Sequence, residues 1–404
     1  MLRKKGISIS EISDWLLVLM TILLSGCVFF TMKYRIITTA LFFVVAIFNL
    51  WLRHKKITKG SLLVLLAAFI ILFVSYIANA QILFISNAAD YIITFIQITA
   101  VCIMVNVLNQ GDFQNKYVSI MRVICAISLV CFVVQTQFTE LVSLISSKDL
   151  VSNFTISWFH TWGWNYIFSR NAGPFWEPGA FQGFIFIAVL FVFKREDLRK
   201  NYMTLLLFLI TIITTMSTTG YILLAIAAMY FMFLSLKGST KKTRDNLAFI
   251  IRCVVLLAGL ILLFQFILKS QAISEKFINS NQSYNIRISD IQNGLNVVFQ
   301  RPLFGFGIMS NDLISAWKEF GSASNSVGVF AILQYFGVFF GLVILSAYVI
   351  SLRKAYRPLN PVVVLLMFLV ITMTECTLTF PVYVIFIFYN LNSKKKDNVL
   401  GKKQ

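Results

Sequence analysis

The chain has 404 residues, of which 58% are hydrophobic and 13% charged, with a mean hydropathy of +0.82. Soluble domains run near 45–50% apolar and about 25% charged, so an ordinary soluble enzyme is excluded and an all-α polytopic membrane protein is expected. A transmembrane barrel would show alternating strands of about ten residues, and this sequence has none, so the net charge of +19 must be read from where the charges fall.

A spanning helix needs about 20 mostly apolar residues. Such runs lie near 15–32, 36–52, 61–79, 91–108, 117–136, 179–193, 202–217, 220–236, 246–268, 326–351, 361–377 and 379–392. They predict about twelve transmembrane helices in a single domain over residues 1–404. The pairs within 202–236 and 361–392 require tight hairpins. Leu24-Ser25-Gly26-Cys27 has the form of a lipoprotein cleavage box. The apolar run continues through Val28-Phe29-Phe30, where a lipoprotein has a polar tether, so an uncleaved first helix is the expectation.

With the N-terminus inside, 24 of the 35 Lys and Arg residues fall in short inner segments such as 53–59, 194–200, 237–244 and 353–357. This is the positive-inside bias of a membrane protein, with both termini cytoplasmic, and nucleic acid need not be invoked. Arg122 and Arg252 sit near inner helix ends, where snorkelling explains them. All six cysteines lie in apolar runs and the chain has two histidines, so no disulfide framework, metal site or cofactor is expected. The inner loops lack a phosphate-cradling Gly-Lys-Ser/Thr motif, so chemistry should face outward.

Two outer loops are long, about 137–178 and 269–325, and loops of such length are usually functional or disordered. Their aromatic and isoleucine content argues for order. In the first, Trp158, Phe159, Trp162, Trp164 and Tyr166 form either an interfacial aromatic belt or a sugar-stacking surface. His160, the outer histidine, is a neutral surface residue or a base. Arg170 precedes the turn Asn171-Ala172-Gly173-Pro174. Trp176-Glu177-Pro178-Gly179 then reads as a helix start with Pro in the first turn. The helix dipole favours a carboxylate there, so Glu177 is a cap, a partner of Arg170, or a base in a cavity at the membrane surface.

In the second loop, Ile291, Leu295 and Val298 share one helical face. Arg287 and Asp290 stand three apart, the spacing of a helical ion pair. Arg301-Pro302-Leu303-Phe304-Gly305-Phe306-Gly307 reads as a compact turn, and Ser322-Ala323-Ser324-Asn325-Ser326 leads into the next span. Glu375, in the outer part of the run 361–377, is costly unless it faces a cavity or partner, which makes it a second site candidate.

These residues resemble the O-antigen polymerase and O-antigen ligase superfamily of membrane glycosyltransferases. Arg170 through Gln182 looks like the arginine-containing loop of the polymerases. Arg287 followed by Pro302-Leu303-Phe304-Gly305-Phe306-Gly307 looks like the second arginine and its glycine turn. Ala323-Ser324-Asn325-Ser326 looks like the segment where ligases carry a His-Asn pair, and Ser324 stands at the histidine position, which favours polymerase. The resemblance implies a GT-C-like helical fold in the bacterial inner membrane, acting on undecaprenyl-pyrophosphate-linked glycans at its outer face. A chain-length regulator is a candidate partner. It implies Arg170 and Arg287 as phosphate-binding catalytic residues and Glu177 as the base, without metal or nucleotide. Further candidate substrate contacts are Trp176, Asn325, Glu375 and His160. Ligation and lipid-linked oligosaccharide flipping are the alternative activities. A transporter would show internal repeats and midplane binding groups, whereas the sequence shows no two-halves repeat and its prominent charges lie in outer loops.

Overall fold

A computed structural model describes residues 8–79, 85–148, 154–164, 170–194, 201–237, 282–321, 325–357 and 359–392. The helices in the first half are α1 (Ile9–Leu23), α2 (Arg35–Leu52), α3 (Lys59–Ala78), α4 (Ile85–Val107), α5 (Gln110–Gln137) and α6 (Thr139–Ile145). A short antiparallel sheet follows, in the order β1 (Ser147–Lys148), β2 (Phe154–Ile156) and β3 (Thr161–Trp164). Then come α7 (Pro178–Phe193), α8 (Tyr202–Thr215), α9 (Thr218–Lys237), α10 (Gln282–Gln300), α11 (Asn311–Glu319), α12 (Gly328–Ala355), α13 (Pro361–Thr372) and α14 (Pro381–Asn392).

Local chemistry explains many of the boundaries. Side chains of Ser8, Thr58, Asn109, Ser310 and Asn360 accept from backbone N–H groups in the first turns of α1, α3, α5, α11 and α13. Each satisfies a donor that a helix start leaves open. Prolines 178, 361 and 381 open α7, α13 and α14, where a missing N–H costs nothing.

Five described helices are long and apolar enough to cross a membrane: Arg35–Leu52, Lys59–Ala78, Ala88–Val107, Gln110–Gln137 and Gly328–Ala355. Five further apolar helices have 10–17 described residues. Large apolar side chains lie bare along α3, with Leu63 66% and Phe73 53% exposed. A water-soluble protein would bury such a stripe, whereas a bilayer covers it. The chain is therefore a multi-pass, mostly helical membrane protein. The expected span 246–268 lies outside the described residues.

The centre of the bundle is α7. Every residue from Gly179 to Val192 is buried, as expected for a helix that is apolar all round. It packs against α5, α8 and α9. Tyr117 of α5 donates to the Phe184 carbonyl at 3.1 Å. The start of α7 is thus held at the middle of one end of the bundle.

Three expectations are corrected. The run 15–32 is not one helix, because α1 stops at Leu23 and a turn follows through Gly26, whose φ is +119°. A Cβ on Gly26 would lie 2.0 Å from Trp176 Cζ3, so the indole occupies the space that an unbroken helix would fill. The runs 361–377 and 379–392 become the shorter α13 and α14, and Glu375 lies in the turn between them, outside either helix. The first outer loop adds a small sheet to the expected all-α architecture, as its aromatic and β-branched residues favour. The tenth span is present as α12 but is kinked at Gly337, whose φ is +77°. There the turn 301–307 docks, with Phe306 N donating to Gln334 O and Val338 N to Pro302 O, both at 2.7 Å.

Candidate active site

Residues 171–175 form a buried, anchored turn. The Asn171 side chain donates to Thr214 Oγ1 at 3.0 Å and to Ser128 Oγ at 3.3 Å, and its Oδ1 accepts from Gly173 N at 3.0 Å. Asn171 N also donates to Thr214 O at 3.0 Å. Gly173 has a φ of +55°, and a Cβ there would meet the Phe181 ring at 2.8 Å. Phe175 is fully buried and stacks on Phe181 and Phe184, with centroids at 5.5 and 4.3 Å. On the other side, Val28 N donates to Pro174 O at 3.0 Å, and Cys27 pairs with Phe175 in an isolated bridge. The break after α1 therefore serves this loop.

From this frame three functional candidates project. Arg170 is half-buried at the ends of α5 and α8, with Nε donating to Thr215 O at 3.1 Å and its carbonyl accepting from Gln135 Nε2 at 3.0 Å. Trp176 lies over Gly26 and meets Phe380 edge-on at 5.6 Å. Glu177 is exposed at the N-cap of α7, yet its side chain makes no capping bond. The ion pairs among the described residues are Arg35–Asp90, Arg53–Asp14 and Arg301–Asp312. Arg170–Glu177 is not among these, and Glu177 makes no side-chain capping bond to α7.

The Glu177 carboxylate instead approaches Gly179. A Cβ on Gly179 would be 3.3 Å from Glu177 Oε1 and 2.3 Å from Glu375 Oε1. Two carboxylates thus flank one bare backbone position at the start of the central helix. Glu375 is only 2% exposed. Its turn packs on the start of α12, where a Cβ on Gly328 would be 2.4 Å from Glu375 O.

A third carboxylate closes this end of the bundle. Asp290 of α10 is buried, and its Oδ2 accepts from Ser326 Oγ at 2.6 Å and Ser326 N at 3.3 Å. Asp290 thus locks the start of α12, while the expected helical pair Arg287–Asp290 lies outside the described residues, since the Arg287 side chain is not among them. Asn325 Nδ2 donates to Asp290 O at 3.0 Å, and Asn325 Oδ1 accepts from Val327 N at 2.7 Å. The Cys376 thiol donates to Asn325 O at 2.9 Å. Burial first, then the nearby carboxylates of Glu375, Asp290 and Glu177, push the Cys376 thiol up to about 12. The thiol therefore stays protonated and serves as a donor rather than a nucleophile.

His160 is fully buried, with Nε2 3.1 Å from Gln135 Oε1 and its ring edge-on to Trp162 at 4.8 Å. Burial pushes it down to about 3. Through Gln135 it adjoins the Arg170 carbonyl. Of the aromatic run, Trp158 is exposed and Trp162 is buried; Trp164 and Tyr166 side chains lie outside the described set. Arg287 belongs to α10, one turn before Asp290, but its side chain, like Ser324, lies outside the described residues. Among the described residues no group of three His, Cys, Asp or Glu has the arrangement to hold a metal ion.

Sequence reasoning missed the Asp290–Ser326 lock and the Gly26–Trp176 contact. A glycine interrupts an otherwise apolar run at 26, which marks a break without naming the ring that fills it.

With this geometry in hand, the matched family can be placed on it. Residues 203–329 match the O-antigen ligase family. The match covers less than half of the chain, from α8 to the start of α12, and includes Asn325 and Asp290 but neither 170–177 nor Glu375. It supports the O-antigen ligase/polymerase superfamily and does not separate polymerase from ligase. No curated protein and no solved structure matches the chain significantly.

Proposed function

We propose that this protein polymerises undecaprenyl-pyrophosphate-linked oligosaccharide repeat units at the outer face of the bacterial inner membrane. The observation that carries the reading is the pair of carboxylates, Glu177 and Glu375, flanking Gly179 beside the anchored Arg170 loop. The hydroxyl of an acceptor unit attacks the anomeric carbon of the donor glycan. The anomeric C–O bond to pyrophosphate breaks, undecaprenyl pyrophosphate leaves, and the hydroxyl proton passes to the Glu177 carboxylate. A pyrophosphate leaves without the general acid that an alkoxide needs in glycoside hydrolysis.

Arg170 and Arg287 stabilise the charge on the departing pyrophosphate, because guanidinium stays ionised and pairs bidentately with phosphate. One such donor contributes about 10²–10³ in rate, and a placed base about 10²–10⁴. Glu375 accepts a hydrogen bond from an acceptor sugar hydroxyl, and Trp176 offers its remaining face to a sugar ring. Asn325 and His160 act as positioning residues, since the hydrogen bonds of both run to neighbouring protein groups. A lipid-borne substrate also suits an apolar cavity of about 190 Å³ lined by Ile71, Ile98, Ile332, Phe336, Leu378 and Thr379. Leu378 and Thr379, in the segment between α13 and α14, line part of it.

The matched family is described as O-antigen ligase, which makes ligation the second reading. Polymerisation is favoured because the two histidines offer no base here. His160 is buried and weakly basic, and His54 follows α2 at the end opposite Gly179 under the expected topology. Deletion of the gene distinguishes the two. A polymerase loss leaves single repeat units on the final glycan, a ligase loss leaves none.

A further inference from the structure

The far end of α12 carries a second charged site. Beyond the kink at Gly337, α12 continues to Ala355 for about 27 Å at 1.5 Å per residue, close to the roughly 30 Å of a hydrocarbon core. The C-terminal end of this helix therefore lies across the membrane from Gly328 and the Glu375 turn. An open pocket of about 590 Å³ occurs there, lined by Ile350, Arg353, Lys354, Arg357, Leu359 and Pro361. It holds three cations and apolar walls, and among the described residues no acidic side chain lines it.

Cations at a helix C-terminus ordinarily serve its open carbonyls. Here those carbonyls are already satisfied. Ala355 O accepts from Lys194 Nζ at 2.9 Å and from Gln110 Nε2 at 3.0 Å. Leu352, Lys354 and Tyr356 carbonyls accept from Tyr356, Arg357 and Leu359 N–H groups. Arg353, Lys354 and Arg357 are exposed, and none of their side chains has an ion-pair or hydrogen-bond partner among the described residues. Arg353 in the last helical turn and Arg357 in the turn beyond it line the same pocket, so their side chains can converge on one anion. Under the expected topology the cations fall near the inner membrane surface, and Ile350, Leu359 and Pro361 beside them suit acyl chains. Basic pockets of this kind between spanning helices take lipid headgroups.

We propose that this pocket binds the phosphate of an anionic lipid headgroup through Arg353, Lys354 and Arg357. The site is independent of the outer carboxylates and of the reaction assigned to them. The test uses the purified full chain in phosphatidylcholine nanodiscs with increasing phosphatidylglycerol, reading the Tm. Wild type should show a saturable rise in Tm. Arg353→Gln/Arg357→Gln should keep the wild-type Tm in pure phosphatidylcholine and need at least about tenfold more phosphatidylglycerol for half the rise, since a charged hydrogen bond is worth about a factor of ten or more. Lys354→Gln, at an exposed position, should weaken the response in the same direction and serves if the double variant does not fold. Inorganic phosphate added to phosphatidylcholine nanodiscs should give no rise. An unchanged phosphatidylglycerol response in the variants, or an equal rise with inorganic phosphate, would overturn the assignment.

Discussion

Gly179 and Glu375 meet at the start of the central helix, where a Cβ at 179 would stand 2.3 Å from Glu375 Oε1. Glu375 is buried and has little room to swing away. Gly179→Ala should therefore push the two carboxylates apart. Overpacking of this kind costs about 1–3 kcal/mol, which a spanning bundle survives. The expected outcome is normally inserted protein with a lower Tm and shortened polymer, read by membrane fractionation and glycan gels. Full-length polymer from Gly179→Ala would show that the carboxylate pair is not used.

Gly26 and Trp176 give a second, purely structural prediction. Gly26→Ala combines a backbone at φ +119° with a contact of 2.0 Å to the indole. It should destabilise by about 1–3 kcal/mol from overpacking, with backbone strain in addition. Trp176→Ala removes the clash, so the double variant should lose less than the sum of the two single losses. Additive losses in a thermal double-mutant cycle would contradict the contact.

Much of this fold was legible in the residues, because bilayer physics leaves few options. Apolar runs at 36–52, 61–79 and 326–351 became α2, α3 and α12 within a few residues, since lipid forces backbone hydrogen bonds into helices. Pro178 after Glu177 marked the α7 start correctly. What stayed hidden depends on long-range packing. Nothing local says that Gly26 faces Trp176, that Glu375 reaches Gly179, or that Asp290 accepts from Ser326. The first two lie beyond hydropathy, which counts apolar residues and cannot see a helix stopped by an incoming ring.

The Asp290–Ser326 lock should be costly to break. Its 2.6 Å hydrogen bond joins a buried carboxylate to the start of α12, and hydrogen bonds to charged groups contribute about 1.5–3 kcal/mol. Ser326→Ala should lower the Tm of the purified protein with Asp290 still in place. A Tm equal to wild type would contradict the lock.

His160 predicts a pH dependence. Burial lowers its pKa to about 3, below the roughly 6.5 of an unfolded histidine. The unfolded chain then binds the extra proton between these values, so stability is fully present above about pH 6.5 and is lost as the pH falls toward 3. The slope approaches about 1.4 kcal/mol per pH unit within that window. His160→Gln, which retains a polar group beside Gln135, should be less sensitive to acid. Parallel Tm-against-pH curves for wild type and variant between pH 4 and 7 would contradict the buried, neutral ring.

The central claim is carboxylate- and arginine-assisted transfer of a glycan from a pyrophosphate lipid at the Gly179 end of the bundle. It is tested most directly by incubating the purified protein with a defined undecaprenyl-pyrophosphate-linked repeat unit, without metal or nucleotide, and measuring chain length. Wild type should give a ladder of products, and Arg170→Ala, Arg287→Ala and Glu177→Gln should each slow it by about 10² or more while remaining folded. Wild-type ladders from all three variants, or no ladder from the wild-type protein, would contradict it.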